Sequence, residues 1–145
     1  MARKAMDTSA VLKLYRAEPN SPAVLACLER GDELLISALV TIEVISAAYG
    51  LVRQKIATKA EADILIAAFE ADKANFTILP CEDTTLLEAE RLLSRYAALL
   101  SLRPMDALQL ATALVEHRRN PLDAFVTTDK VLISVATSEG LIVKP

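Results

Sequence analysis

The feature that most constrains this chain is an alternation of short apolar runs with longer helical stretches. Lys4 to Met6, Leu34 to Ser37, Phe76 to Leu79, Ala124 to Thr127 and Leu141 to Val143 each stop within a few residues and read as strands. Runs without a polar face belong to strands covered on both sides. Strands that alternate with helices form βαβ units around a parallel sheet. The expected class is therefore α/β, three layers deep, with a central parallel sheet of about five strands. No linker, repeat or low-complexity stretch interrupts the 145 residues, so residues 1–145 are expected to form a single domain.

The helices are bounded by start and stop signals. Thr8 or Ser9 can cap a helix reaching about Arg16. Pro19-Asn20-Ser21-Pro22 reads as a turn, with Ser21 as cap and Pro22 at the first helical position of a helix that stops at Gly31. Leu39 to Gln54 is a helix with Ile42, Ile45, Tyr49, Val52 and Ile56 on one face. Thr58 to Glu61 forms a capping box for a helix reaching about Lys73. Its Ile64 to Phe69 run is apolar on every side, which predicts deep burial or an interface. Asp83 or Thr84 starts a helix in which Leu86, Leu93, Tyr96 and Leu100 share a face, and Pro104 opens another that ends near His117. Lys130 to Glu139 is the last helix, stopped by Gly140.

Composition narrows the function. Hydrophobic residues make up 53% and aromatics 4%, an aliphatic surplus that points to oligomer or partner surfaces. The net charge of −3 lacks the basic excess that draws nucleic acid, although acids that hold divalent cations would invert the local field. Cys27 and Cys81 have no metal-ligand spacing and read as reduced, packed thiols of a cytosolic protein. His117, beside Arg118 and Arg119 at a helix end, reads as a solvated cap. The nearly uncharged stretch Leu34 to Val52 has the length of a membrane span. Glu43 at its centre, a strand in its first part and helical phase in its second argue for a protein without membrane association. No apolar segment of signal-peptide type follows Met6, and the expected location is the cytoplasm.

In open α/β sheets, ligands bind beyond the carboxyl ends of the strands. Asp7 follows the first strand, Glu43 lies in the early turns of the helix after the second, Asp129 follows the fourth, and Asp106 lies in the first turn of the helix opened by Pro104. Each acid has a plainer reading as a helix cap or a dipole partner, and Asp129 is the easiest to explain that way. Glu43 resists it, because it interrupts an apolar segment next to the small residues Ser46, Ala47 and Gly50. Four carboxylates at one rim repel one another, and a divalent cation relieves the repulsion. Hard Mg²⁺ or Mn²⁺ prefers oxygen ligands and supports attack at phosphorus.

These residues resemble the PIN-domain ribonucleases, most closely the VapC toxins of toxin–antitoxin pairs. The resemblance is carried by Met6-Asp7-Thr8-Ser9-Ala10-Val11-Leu12-Lys13-Leu14-Tyr15, by Ile36-Ser37 with Glu43, by Leu102-Arg103-Pro104-Met105-Asp106-Ala107-Leu108-Gln109-Leu110-Ala111, and by Phe125-Val126-Thr127-Thr128-Asp129-Lys130 with Gly140-Leu141. It implies a PIN-like α/β/α fold, Mg²⁺- or Mn²⁺-dependent endonucleolytic cleavage of RNA, homodimers, and inhibition by a cognate VapB-type antitoxin. It also implies that Asp7, Glu43, Asp106 and Asp129 are the catalytic and metal-site acids, with Ser9 and Thr127 as supporting hydroxyls. Two residues depart from the pattern: Gln109 stands where a His is common, and Pro104 immediately precedes Met105 and the third acid. Arg103, Lys13 and Lys130 lie near the predicted rim, where they could meet phosphates or simply be solvated.

Other classes fit less well. A phosphoaspartyl phosphatase using Asp7 as nucleophile usually needs an acid two positions on, where this chain has Ser9. A dinucleotide-binding domain needs a glycine-rich turn after the first strand, and none of the three glycines is there. A PIN-fold interaction module without activity would explain the apolar helix at Ile64 to Phe69 but gives no reason to hold four acids at one rim.

Overall fold

A computed structural model describes all residues from Met1 to Pro145. Five strands form one sheet in the order β3-β2-β1-β4-β5, with every pairing parallel. They are β1 (Arg3–Met6), β2 (Glu33–Ser37), β3 (Phe76–Leu79), β4 (Ala124–Val126) and β5 (Val143–Lys144). The chain grows outward from β1 to β2 and β3 in one direction, then returns to add β4 and β5 on the other side. The order therefore reverses between β1 and β4, which opens a crevice at the carboxyl ends of those two strands.

Seven helices complete the layers: α1 (Thr8–Tyr15), α2 (Ser21–Ala26), α3 (Ala38–Arg53), α4 (Lys59–Asp72), α5 (Asp83–Tyr96), α6 (Pro104–Arg119) and α7 (Lys130–Ser138). Successive strand residues point to opposite faces, and this divides the core in two. Ala5, Leu35 and Phe125 face α5, α6 and α7, where they pack with Leu92, Leu110, Leu132 and Val135. Met6, Ile36 and Val126 face the other way, onto α1 to α4, with Val11, Val24, Val44, Leu65 and Phe69. These are the two faces that strands without a polar side require, and the three-layer expectation holds.

Several local expectations change. Asp7, rather than Thr8 or Ser9, caps α1, because its carboxylate accepts from the Ala10 N–H. The helix after Pro19-Asn20 ends at Ala26 and not near Arg30. Asn20 is its N-cap, while the Ser21 hydroxyl receives the Glu18 N–H and donates to the Arg16 carbonyl, so it serves the preceding turn instead. In α3 the buried stripe is Val40, Val44 and Ala48, whereas Ile42 and Ile45 are exposed. The capping box of α4 forms as expected, but the helix buries only Ala62, Leu65 and Phe69 and leaves Ile64 70% exposed. On α5 the expected Leu93 and Tyr96, with Leu100 just beyond the helix, pack against the core beside the buried Thr85, Glu88, Ala89 and Leu92, and of the expected face only Leu86 turns to solvent. α3 carries more apolar residues than one face can hold, so hydrophobic phase alone does not select its buried set.

Among the remaining residues, Cys27 is half-buried and Cys81 exposed, so the thiols are not both packed as expected. His117 is no solvated cap: its Nδ1 accepts the Leu122 N–H and ties the end of α6 to the approach to β4. No helix is long and apolar enough to cross a membrane.

Candidate active site

The crevice between β1 and β4 is built by the chain's own capping chemistry. β1 ends at Met6, and Asp7 turns the chain into α1. β4 ends at Val126, and Thr127-Thr128-Asp129 turns it into α7, with the Asp129 carboxylate accepting from the Leu132 N–H. Two helix N-termini thus open beside each other, each capped by an aspartate. A hydroxyl network joins them. Ser9 Oγ lies 2.8 and 2.9 Å from the two carboxylate oxygens of Asp7 and accepts the Thr128 N–H at 3.1 Å. Thr127 Oγ1 accepts the Asp129 N–H at 3.1 Å and lies 3.4 Å from Ser9 Oγ. Ser9 and Thr127 therefore stitch the end of β1 to the end of β4.

The other two acids arrive from helices. Asp106 lies in the first turn of α6 and is half-buried; Arg103 takes the N-cap position, so no capping bond occupies the Asp106 carboxylate. Glu43 lies on α3, half-buried, and its Oε2 receives two hydrogen bonds of 2.6 Å, from Thr8 Oγ1 and from Gln109 Nε2. With Glu43, the side chains of Ile42, Ser46 and Met105 line an open groove of about 300 Å³.

None of the four acids forms a salt bridge, and the electrostatics register it. Burial pushes Asp7 up to about 6, and the charge of Asp129 adds to the rise against the hydrogen bonds from Ser9, Ala10 and Thr127. Asp106 is raised first by burial, then by the charges of Asp129 and Glu43, with Arg103 the one opposing cation. All four acids thus share one field, with Asp129 acting on both Asp7 and Asp106. No three of these side chains are close enough together to enclose an ion. The donor set fits a hard divalent cation: it is all carboxylate and hydroxyl oxygen, it is short of positive charge, and it has no competing ion pair.

Of the basic residues near the rim, Lys13 is paired with Glu18 at 2.6 Å, whereas Arg103 and Lys130 have no salt-bridge partner. Sequence reasoning missed the joint contact of Thr8 and Gln109 on Glu43. The available signal was spacing, since Gln109 follows Asp106 by three positions and so shares its face of α6.

The fold is thus an all-parallel three-layer α/β domain with acids at the point where its strand order reverses. The family description "PIN domain" matches residues 4–138, and the chain belongs to that family. No curated protein matches the sequence. Solved structures resemble it over nearly its whole length. VapC20 of Mycobacterium tuberculosis, described as a sarcin–ricin loop cleaving toxin, superposes with a TM-score of 0.68 at 16% identity, covering 98% of this chain and 99% of that one. FitAcB of Neisseria gonorrhoeae gives a TM-score of 0.66 at 20% identity, covering 98% and 96%. VapBC2 of Rickettsia felis, bound to a DNA fragment from its promoter, gives 0.67 at 14% identity, covering 98% and 97%. At these identities the likeness establishes the fold.

Proposed function

We propose that the protein is a metal-dependent endoribonuclease, the toxin of a type II toxin–antitoxin pair. The observation that carries this reading is the uncompensated acid rim, in which Asp7 is buried, raised to about 6 and free of any salt bridge. A chain gains no stability from such an arrangement, whereas phosphodiester chemistry uses it. Asp7, Glu43, Asp106 and Asp129 would hold Mg²⁺ or Mn²⁺. When bound, the ion would lower the pKa of a water and stabilise charge developing at phosphorus.

The protein's own groups supply the rest. Ser9 and Thr127 hold Asp7 in one orientation through the hydroxyl network. The amino ends of α1 and α7 direct backbone dipoles at the crevice and favour a phosphate there. Arg103 and Lys130 are free to meet flanking phosphates. The groove of Ile42, Ser46 and Met105 gives an apolar wall along which a nucleotide beside the cleaved bond can lie.

Similar structures named for toxin–antitoxin systems, VapBC-5 of Mycobacterium tuberculosis and a Klebsiella pneumoniae complex, support a VapB-type antitoxin as partner, and the proposed working form is a homodimer. The exposed Ile45 and Ile64 suit such protein contacts. A cytoplasmic location follows from the same reading. The test is cleavage of folded RNAs by purified protein with Mg²⁺ or Mn²⁺, alongside Asp7→Asn. Cleavage by the wild type alone is the expected result; equal cleavage by both would place the activity elsewhere.

A further inference from the structure

We propose that Gln109 is a positioning residue for Glu43. The inference rests on the reading of the acids as a metal site, and it explains a residue that the sequence pattern left as a departure.

The Gln109 carboxamide donates both of its N–H groups and accepts at its oxygen, bonding to two other elements. Its Oε1 accepts the Thr8 N–H at 2.9 Å, one of the amides at the start of α1 that no intrahelical carbonyl can satisfy. Its Nε2 donates to Thr8 Oγ1 at 2.9 Å and to Glu43 Oε2 at 2.6 Å. Thr8 Oγ1 in turn donates to the same Glu43 oxygen at 2.6 Å. The pattern fixes the amide orientation, because exchanging O and N would set Oε1 against the carboxylate and leave the Thr8 N–H facing an NH₂ group. Gln109 is 4% exposed and Thr8 7%, so water does not compete for these bonds.

The consequence falls on Glu43. Both donors act on Oε2, which is tied back to α1 and α6, while Oε1 has no partner in the protein. Glu43 sits on a long side chain whose free rotation would otherwise cost entropy at each binding event. Pinned at one oxygen, it presents the other to the site. Gln109 and Asp106 lie three residues apart on α6, so the helix that contributes one acid also orients a second. Glutamine suits this role because it offers two donors and an acceptor, whereas a neutral histidine offers one of each and can serve only one of the two contacts fully.

The test is Mn²⁺ affinity, measured by calorimetry or by loss of the free-ion resonance signal, for wild type, Gln109→Met, Gln109→His, Glu43→Gln and the double variant Glu43→Gln/Gln109→Met. Gln109→Met is expected to bind Mn²⁺ about tenfold more weakly, and Gln109→His to lie between it and wild type. In the Glu43→Gln background the Gln109 substitution should cause no further loss, because its effect passes through Glu43. In RNA cleavage kcat should fall with KM unchanged. Unchanged Mn²⁺ affinity in Gln109→Met, or an equal additional loss in the double variant, would overturn the proposal and leave Gln109 as a clamp on α1. Should Gln109→Met fail to fold, Thr8→Val removes the second donor and keeps the backbone contact, and the same weakening and the same coupling to Glu43 are required of it. Absence of Mn²⁺ binding by the wild type would instead overturn the metal-dependent reading itself.

Discussion

The two ends of the sheet are both rich in acids, and they treat them in opposite ways. At the amino ends of the strands, Arg3 of β1 bonds Glu33 at 2.8 Å and Glu116 at 2.5 Å, and its backbone N–H donates to Asp123. Next to it, Lys4 is 6% exposed and reaches Asp32 and the Cys27 carbonyl, each at 2.6 Å. Asp32 and Glu33 are accordingly held below the usual carboxylate range by the cations of Lys4 and Arg3. At the carboxyl ends, Asp7 and Asp106 are raised, and no side-chain cation touches any of the four acids. The lesson is that burial of carboxylates is ordinary in this fold. What sets the carboxyl-end acids apart is the absence of any salt bridge, most sharply at the buried Asp7.

The strongest way to break the comparison is at Asp7. Asp7→Asn keeps the cap on α1 and the Ser9 contact while removing the charge. Cleavage is expected to fall by a factor on the order of 10²–10³, the scale of losing one preorganised electrostatic contact. Single-turnover RNA cleavage checks it.

The same variant should stabilise the metal-free protein. Asp7 binds its proton more tightly when folded than when unfolded, because folding raises it from 3.8 to about 6. Native stability is then lost as pH rises through that window, and above it the cost is on the order of 3 kcal/mol. The gain from Asp7→Asn should be absent below about pH 4 and grow up to about pH 6. Chemical denaturation at several pH values in chelator measures it; a gain that did not vary with pH would assign the effect to packing.

Divalent metal should sharpen the contrast between the two ends. At about ten times its dissociation constant, Mg²⁺ adds about 1.4 kcal/mol to wild-type stability, which is a melting shift of about 3–5 °C for a chain of this size. Lys4→Met should lower the melting temperature by leaving Asp32 unpaired, yet keep the whole Mg²⁺ shift. Asp7→Asn or Asp106→Asn should lose that shift.

Acid acts on the paired acids with the opposite sign. Glu88 of α5 is pulled down to about 2 by Arg91 first and Arg118 next, and Glu139 is held low chiefly by Arg91, against the opposing effect of burial. The stability these pairs contribute is complete above the ordinary glutamate pKa and lost as pH falls through about 2. Replacing Glu88 by Gln should flatten the acid limb of a thermal-stability profile and leave the Mg²⁺ response unaltered. The smallest effect belongs to Asp129. Asp129→Ala removes the cap on α7 and costs about 1 kcal/mol, and its loss of activity should be smaller than that of the other three acids.

Much of this was legible in the chain. Strand and helix alternation gave the sheet and its layers, because period and length are local properties. The acids were legible because each interrupts an apolar run or follows a strand. The face buried by α3 was not, since that helix carries apolar residues on several sides and tertiary packing chooses among them. The length of α2 was also misread: Cys27 to Arg30 lacks a breaker, yet the backbone leaves the helix at Cys27 and reaches Gly31 with φ +95, beyond which Asp32 docks on Lys4. The Gln109 network was least legible, because it joins residues 101 positions apart and depends on how α6 meets α1.

The central place of β1 has a consequence for synthesis. Its two neighbours are β2, made almost at once, and β4, made near the end of the chain. A ribosome that has produced Asp7, Glu43 and Asp106 has not yet produced the strand that forms the other wall of their crevice. The hydroxyls that lock Asp7 in place wait on Thr127 as well. Incomplete or prematurely ended products therefore carry three of the four acids without the strand that completes their crevice.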